Sequence, residues 1–393
     1  MTLSSISTVS SNIHHNIVNL PVTIYLIGSG DATDSDLNKR VMAYSYDISN
    51  NGWTTTPDAS RSRIHLSVRE FATDGNIVLS AGVRNNQSGF VTLAYSTNKG
   101  LTWTNSSGSN FLAWAHSVTA YNSNYDPSYN DYTSATAPKK FVAIGRNSST
   151  TTDYASISWS DNGMAWSKTG ITSNVFERGR GITYGNGKFV GVGEGLMKIA
   201  TSVNGVNWIQ ATTPNIFSVR GWYVAFNGSM FVAVGDGSVN DVATSLDGST
   251  WTPRGRIFKP TTLGGTSLGY NVKWSEYHQK WIAIGWPDSV ATPELASIKT
   301  SHDGITWTDT GQITLDGNIF NMIQQPLTIE CKNEIIMIGG FKRDTFYTSG
   351  NTSTPNPPDS SSLIISTDAT TWNYITNVND VVIGKQVSAM IIL

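Results

Sequence analysis

A short motif recurs along the chain and constrains its fold more than any other feature. Its form is Ser-x-Asp/Asn-Gly-x-x-Trp, and copies or near-copies end at Trp53, Trp103, Trp166, Trp208, Trp251, Trp307 and Trp372. Neighbouring tryptophans lie between 42 residues (Trp166 to Trp208) and 65 residues (Trp307 to Trp372) apart. Repetition at such a period is typical of solenoids and propellers, in which each repeat is one small folding unit.

A second motif, an apolar run that ends in glycine, precedes each tryptophan motif. The strings IYLIG, VLSAG, FVAIG, FVGVG, FVAVG, WIAIG and IIMIG end at Gly28, Gly82, Gly145, Gly193, Gly235, Gly285 and Gly339. Two independent motifs therefore give the same count of seven, which indicates seven repeats of one unit.

Residues 180–211 show what one unit contains. Two runs rich in β-branched and aromatic residues flank a Gly-Asn-Gly turn, which predicts a hairpin. A second hairpin turns at Asn204-Gly205, and Trp208 follows the turn with a large apolar surface. Four antiparallel strands in about 42 residues match one blade of a β-propeller.

The predicted fold is therefore all-β, a single seven-bladed β-propeller of four-stranded antiparallel blades. We assign residues 21–393 to the propeller and residues 1–20 to an N-terminal extension. The last segment, residues 386–393, lies where every other unit begins its first strand. We expect it to close the ring in blade 1, because an unpaired sheet edge is a liability. In the alternative, residues 11–20 supply that strand and the C-terminus is an extra edge.

The motifs resemble those of a known family. The Ser-x-Asp-Gly-x-Thr-Trp repeat is similar to the Asp-box (BNR) repeat of sialidase-like β-propellers, and FVAVG resembles a run that is widespread in Asp-box propellers of unknown function. The resemblance extends from about Val22 to the C-terminus. It implies the propeller fold, but it implies no single activity, because this family spans glycosidases, lectins and scaffolds.

Alternating strands place the loops of each blade on two faces. The tryptophan-motif turns share one face, and the loops after the apolar-glycine runs share the other face with the connections between blades. The second face receives most of the long insertions, at 28–40, 145–155, 285–297 and 340–362, and by our assignment all twelve arginines. Loops carry function more often than strands, so this face is the expected working face.

A set of arginine and aromatic residues is expected near the central channel on that face. The candidate ligand-binding residues are Arg69, Arg180, Arg220, Trp222, Trp274, Trp114 and His116. Guanidinium groups suit carboxylate, phosphate and sulfate, so one interpretation is an anionic or sugar ligand. In the other interpretation the arginines pair with nearby acids and each tryptophan packs between blades.

Composition excludes several classes of protein and partner. The formal net charge of −2 does not favour binding to nucleic acid. No apolar run reaches the roughly 18 residues that a membrane-spanning segment needs. The single cysteine, Cys331, excludes a disulfide framework and a multi-thiolate metal site, and no motif for a metal or another cofactor is present. Residues 1–20 lack a basic and apolar leader, so no signal peptide is expected and the compartment stays unassigned.

These observations favour a non-enzymatic binding module. It would be a lectin-like glycan reader or a protein-interaction platform, so the expected partner is a glycan or another protein. One alternative is a structural surface component of a particle or assembly. Another is a sialidase-like glycoside hydrolase, for which the resemblance implies three arginines, a Tyr-Glu nucleophile pair and an Asp acid. The family's Arg-Ile-Pro signature is absent, and the sequence identifies no suitable pair of carboxylates, so no enzyme activity is expected.

Overall fold

A computed structural model describes most of the repeating units. The described residues are 23–28, 42–48, 53–55, 65, 67–83, 91–121, 141–146, 156–169, 175–213, 215–258, 267–287, 297–310, 314–315, 318–319, 323–342, 362–375 and 386–393. The predicted N-terminal extension and most of each long insertion lie outside these ranges.

The described chain is built of short β-strands. The first three units contribute β1 (Tyr25–Gly28), β2 (Met42–Ser45), β3 (Thr54–Thr55), β4 (Ser67–Thr73), β5 (Val78–Val83), β6 (Leu93–Ser96), β7 (Thr104–Asn105), β8 (Trp114–Ala120), β9 (Phe141–Arg146), β10 (Ile157–Ser160) and β11 (Ser167–Lys168). The next two contribute β12 (Arg178–Gly185), β13 (Lys188–Glu194), β14 (Ile199–Ser202), β15 (Ile209–Gln210), β16 (Arg220–Phe226), β17 (Phe231–Gly237), β18 (Val242–Ser245) and β19 (Thr252–Pro253).

The remaining strands complete the same pattern. They are β20 (Ser267–Ser275), β21 (Lys280–Pro287), β22 (Ser297–Ser301), β23 (Thr308–Asp309), β24 (Thr314–Leu315), β25 (Asn318–Ile319), β26 (Ile323–Lys332), β27 (Ile335–Lys342), β28 (Leu363–Ser366), β29 (Asn373–Tyr374) and β30 (Ala389–Ile392). One 3-10 turn spans Ser109–Phe111. No helix in the described ranges has the length and apolar character that a membrane crossing requires.

Each unit is an antiparallel meander of four strands. Six groups, β4–β7, β8–β11, β12–β15, β16–β19, β20–β23 and β26–β29, pair in sequence order, while β24 and β25 form a separate small ribbon. The first sheet has the order β3-β2-β1-β30, so the C-terminal strand pairs with β1, with Tyr25 opposite Ile392 and Gly28 opposite Ala389. The segment 386–393 thus occupies the inner edge of the first sheet.

The inner strands of successive units lie side by side. Each inner strand lies against the next one in chain order, and β30 also lies against β4. These inner strands are β4, β8, β12, β16, β20, β26 and β30. Sheets that follow one another around an axis define the β-propeller architecture, and the all-β chain has it.

The core lies between neighbouring sheets. Each motif tryptophan packs against the unit before it, so Trp208 joins Val142 and Ile144 of the preceding sheet. Trp53 packs against Met337 and Leu363 of the last sheet. Alternating strand residues therefore bury both faces of a blade against its neighbours.

The tryptophan motif forms one repeated turn. Ser245 Oγ accepts from the Gly248 N–H at 2.8 Å, Asp247 Oδ1 accepts from the Thr250 N–H at 2.7 Å, and Trp251 Nε1 donates to the Gly248 carbonyl at 3.0 Å. Gly248 has φ of 71°, in the left-handed region that glycine adopts without a Cβ penalty.

The last copy of the turn departs from this geometry. Ala369 replaces the glycine and still adopts φ of 61°. The buried Nε1 of Trp372, which donates to the glycine carbonyl in other copies, has no hydrogen-bond partner. The turn therefore tolerates the substitution at a local cost, since left-handed backbone is unfavourable for residues other than glycine by about 1–2 kcal/mol.

The turn carboxylates make stability depend on pH. N–H groups of Thr306 and Ile305 lower the pKa of Asp303 to about 2, and those of Thr371 and Thr370 lower the pKa of Asp368. A carboxylate whose pKa is lower in the folded than in the unfolded chain stabilises the fold at pH values above its unfolded-state pKa of about 3.9. This stabilisation is lost as the pH falls towards 2. Urea unfolding of the double variant Asp303→Asn/Asp368→Asn should show a flatter loss of stability between pH 5 and pH 2 than the wild type.

Asparagine is a suitable replacement because Asn162 and Asn204 hold the same position in other units and accept from the same N–H groups. Asp161→Asn, one residue before such an asparagine, is the matched control, because it removes a carboxylate that does not hold the turn position. Parallel profiles for the double variant and the wild type would contradict the assignment.

Candidate functional site

A backbone bulge occurs at one place in six inner strands. Pairing with the second strand of the unit shifts by one residue there, and the residues at the shift are Arg69, His116, Arg180, Trp222, Tyr270 and Leu327. A bulge changes the direction in which the side chain of the extra residue points. All six residues line one cavity of about 220 Å³, together with Trp114; we call this cavity the funnel.

The glycine that ends each apolar run lies opposite the bulge. A Cβ added to Gly235 would lie 2.4 Å from the Arg220 carbonyl oxygen and 2.7 Å from the ring of Phe217. At Gly193 it would lie 2.4 Å from the Arg178 carbonyl oxygen. The second repeated motif therefore reflects the close approach of the bulged inner strand, for which only glycine leaves room.

Three arginines share one carboxylate near the funnel. Arg178 Nε and Arg180 NH2 each lie 3.0 Å from Glu194 Oε1, and Arg220 NH1 lies 3.4 Å from Glu194 Oε2. Arg220 Nε also lies 2.9 Å from Asp236 Oδ2. The interpretation that arginines pair with acids therefore holds for these three residues.

Two further arginines lie beside this cluster without a carboxylate partner. Within the described ranges, Arg69 and Arg146 form no ion pair, and the Nε of Arg69 is buried without a hydrogen-bond partner. The Arg146 guanidinium carbon lies 5.8 Å from the Trp114 ring centroid. Among the described residues, five guanidinium groups thus lie around Glu194 and Asp236, so this cluster of arginines and acids carries an excess of positive charge.

His116 adds no charge to the funnel at neutral pH. Burial, followed by the positive charges of Arg180 and Arg69, lowers its pKa well below the usual value. Its ring lies edge-on to Trp114 with centroids 5.7 Å apart, and its buried Nε2 has no hydrogen-bond partner.

Aromatic rings form one wall of the funnel. The Arg180 guanidinium carbon lies 4.4 Å from the Trp222 ring centroid, and the Tyr270 ring lies 4.8 Å from Trp222. Trp286 stacks on Tyr270 at 5.2 Å, and Trp222 Nε1 donates to Asp236 Oδ1 at 2.5 Å. The wall is held in place from both sides, and it offers flat apolar surface beside positive charge.

A polar layer forms the floor of the funnel. The Glu70 carboxylate accepts hydrogen bonds from the Ser117 hydroxyl and the Tyr223 hydroxyl, and burial raises the pKa of Glu70. Below them Lys273 Nζ lies 3.6 Å from Glu330 Oε2. Glu70 and Tyr223 also border a second cavity of about 520 Å³ towards the opposite face, so this layer divides the axial channel.

The structure brings most of the predicted candidates together. Arg69, Arg180, Trp222, Trp114 and His116 line the funnel. Arg220 lies just behind them, with its guanidinium carbon 5.3 Å from the Trp222 ring centroid.

Trp274 lies elsewhere, which corrects the expected grouping with Trp222. It lines the second cavity and donates to Glu276 Oε2 at 2.7 Å. The reason is that β20 begins at Ser267, so the bulge falls at Tyr270 and Trp274 lies near the other end of the strand.

Sequence reasoning did not identify Glu70, Tyr223, Tyr270 and Asn271, all of which line the funnel. The signal that locates them is the alignment of inner strands as Val-Arg-Glu, Ala-His-Ser, Gly-Trp-Tyr and Gly-Tyr-Asn, in which the second and third positions face the axis. No group of three or more His, Cys, Asp or Glu side chains with a metal-binding arrangement occurs among the residues that the structure describes.

Comparison with known proteins identifies similar folds only. No protein-family model and no curated protein matches the chain. Among solved structures, "YCF48 bound to D1 peptide" matches with 16% identity and a TM-score of 0.43, over 78% of this chain and 79% of that one. A putative 6-phosphogluconolactonase from Bacteroides fragilis matches with 10% identity and a TM-score of 0.51, over 94% of this chain and 98% of that one.

The second match corrects the expectation that the chain is not an enzyme. That exclusion was wrong, because a protein described as a putative lactonase shares the fold over nearly its whole length. An identity of 10% shows the fold alone, so the match says nothing about which reaction, if any, this chain performs.

The glycine opposite the bulge is open to a direct test. Gly235→Ala should lower the free energy of unfolding by about 1–3 kcal/mol, because the added methyl group must displace the Arg220 carbonyl or Phe217. Urea unfolding followed by tryptophan fluorescence measures the change.

Gly255→Ala is the control, because Gly255 has φ of 80° and no atom within 4 Å of an added Cβ. It reports backbone strain alone, at about 1–2 kcal/mol. An unchanged unfolding midpoint for Gly235→Ala would show that the bulged strand does not need a glycine opposite it.

Proposed function

We propose that the chain is a seven-bladed Asp-box β-propeller, closed by its C-terminal strand, whose funnel binds an anionic group carried by a glycan or by another protein. The proposal rests on the excess of guanidinium groups over carboxylates beside one cavity among the described residues, where Arg69 forms no ion pair.

Several contacts support the closed ring. β30 pairs with β1 and lies between β26 and β4, and Trp53 packs on the last sheet as the other motif tryptophans pack on the sheets before them. The Ser-x-Asp-Gly turn geometry supports the Asp-box assignment.

The funnel has the three properties that recognition of an anion requires. Buried guanidinium groups make stronger charge-assisted hydrogen bonds than exposed ones, and the Arg180 side chain is only 8% exposed. Glu194 and Asp236 hold three of the arginines in fixed positions, which lowers the entropy lost on binding. The aromatic wall supplies apolar contact beside the charge, as sugar rings and aromatic side chains require.

Binding should depend on Arg69. Arrays that carry uronic-acid and sulfated glycans, and arrays of acidic peptides, identify the ligand, and titration calorimetry measures its affinity. Arg69→Gln should weaken binding about 10- to 100-fold, which corresponds to about 1.5–3 kcal/mol for a hydrogen bond to a charged group.

Arg254→Gln is the matched control, since Arg254 Nε bonds Thr244 Oγ1 at 2.9 Å away from the funnel. No binding by either array, or an affinity unaffected by Arg69→Gln, would rule out the proposed site.

One observation favours a second candidate, glycoside hydrolysis. The Tyr223 hydroxyl donates to Glu70 at the floor of the funnel, so a tyrosine nucleophile is paired with a carboxylate base. Sialidases are glycosidases in which tyrosine is the nucleophile. The sequence alone did not reveal this pair, because the two residues are 153 positions apart.

Chromogenic glycosides of acidic sugars test this candidate. Tyr223→Phe should abolish turnover while it retains binding, because it removes only the nucleophilic oxygen. Arg254→Gln should keep full turnover. The candidate fails if the wild type releases no chromophore, or if Tyr223→Phe remains as active as the wild type.

A further inference from the structure

The funnel is electrically polar along the axis. Arg69 and Arg146 lie at the outer end without carboxylate partners among the described residues, and Arg180 lies beside them. At the inner end the Glu70 carboxylate lines the floor, while the Lys273–Glu330 ion pair lies below it in the second cavity. A ligand that carries negative charge at one end and positive charge at the other is therefore complementary to the cavity.

An unsatisfied acceptor lies at the inner end. Asn271 is only 5% exposed, and its Nδ2 donates to the Leu327 carbonyl at 3.4 Å. Asn271 lines the funnel, and its Oδ1 is buried without a hydrogen-bond partner among the described residues. A buried acceptor left unpaired is unfavourable, so a ligand that donates a hydrogen bond there would recover the lost interaction.

The size of the cavity limits the ligand. A volume of about 220 Å³ compares with about 10–15 Å³ for one water molecule by the same measure, so the funnel has room for a molecule of amino-acid size. The Glu70–Tyr223 layer blocks its inner end, so an extended chain does not thread through the axis.

We propose that the funnel binds a small zwitterion of amino-acid size, with its carboxylate at Arg69 and Arg180 and its ammonium group at Asn271 Oδ1 and Glu70. This inference rests on the proposed anion-binding function and adds the positive end of the ligand. The Glu70 carboxylate already accepts two hydrogen bonds, and its remaining lone pairs accept an ammonium donor. The aromatic wall of Trp222 and Tyr270 lies beside the side chain of the ligand.

Matched pairs of compounds measure the contribution of each charged end of the ligand to binding. Titration calorimetry compares each of the twenty L-amino acids with the carboxylic acid that lacks its amino group, for example L-phenylalanine with 3-phenylpropanoate. At least one amino acid should bind ten-fold or more tightly than its deaminated partner. The same amino acid should lose ten-fold or more in affinity when Arg69 is replaced by glutamine.

Asn271→Leu isolates the ammonium contact. It should lower the affinity of the amino acid towards that of the deaminated partner, with Glu70 still accepting from the ammonium group, and Asn207→Leu, an exposed residue of a tryptophan-motif turn, should not. Thermal unfolding confirms that each variant is folded, and the wild-type comparison stands without the variants.

Each outcome has one meaning. Carboxylic acids that bind as tightly as the amino acids overturn the zwitterion and leave anion binding intact. Failure of every amino acid and every carboxylic acid to bind, together with empty glycan and peptide arrays, overturns both proposals.

Discussion

A bulge opposed by a glycine determines how this chain presents side chains to its axis. The extra residue in the inner strand brings two consecutive side chains to the axial side, and the glycine of the neighbouring strand makes room for the displaced carbonyl. The bulge repeats in successive inner strands. Its residues form an outer tier of side chains, which contains Arg69, Arg180 and Trp222. The residues after them form an inner tier, which contains Glu70, Tyr223 and Asn271.

The inner tier also connects the blades. Glu70 of β4 joins Ser117 of β8 and Tyr223 of β16, and Ser117 Oγ accepts from the Ile182 N–H of β12 at 3.2 Å. Lys273 of β20 reaches Glu330 of β26. These groups are buried or half-buried and each is held by its partners, so the layer is both a crosslink between blades and the partition between two cavities.

Paired and unpaired arginines lie side by side near the funnel. Arg178, Arg180 and Arg220 are fixed by Glu194, and Arg220 also by Asp236, whereas Arg69 keeps a buried donor without a partner. The proposed anion-binding function rests on this combination, in which Glu194 and Asp236 fix three arginines and Arg69 keeps an unpaired donor among the described residues.

The sequence alone determined the repeat and the type of structure in each unit. Tight turns, alternating apolar runs and a tryptophan after each turn are local signals, so the strand meanders and the position of residues 386–393 beside β1 were predictable. So was the gathering of Arg69, Arg180, Trp114, His116 and Trp222, because these residues occupy equivalent places in their repeats. The exact position of the bulge in β20 was not predictable, and the tryptophan chosen there, Trp274, lies at the other end of the channel.

Only the tertiary structure decided which side chains share the axis. Glu70 and Tyr223 are far apart in sequence and carry no motif, and they meet because the propeller brings β4 and β16 to the same centre. The unpaired state of Arg69 Nε and of Asn271 Oδ1 among the described residues likewise depends on which neighbours the other sheets supply. Local patterns specify strands and turns, whereas partners across a central channel follow from the packing of distant sheets, which no single segment of the chain encodes.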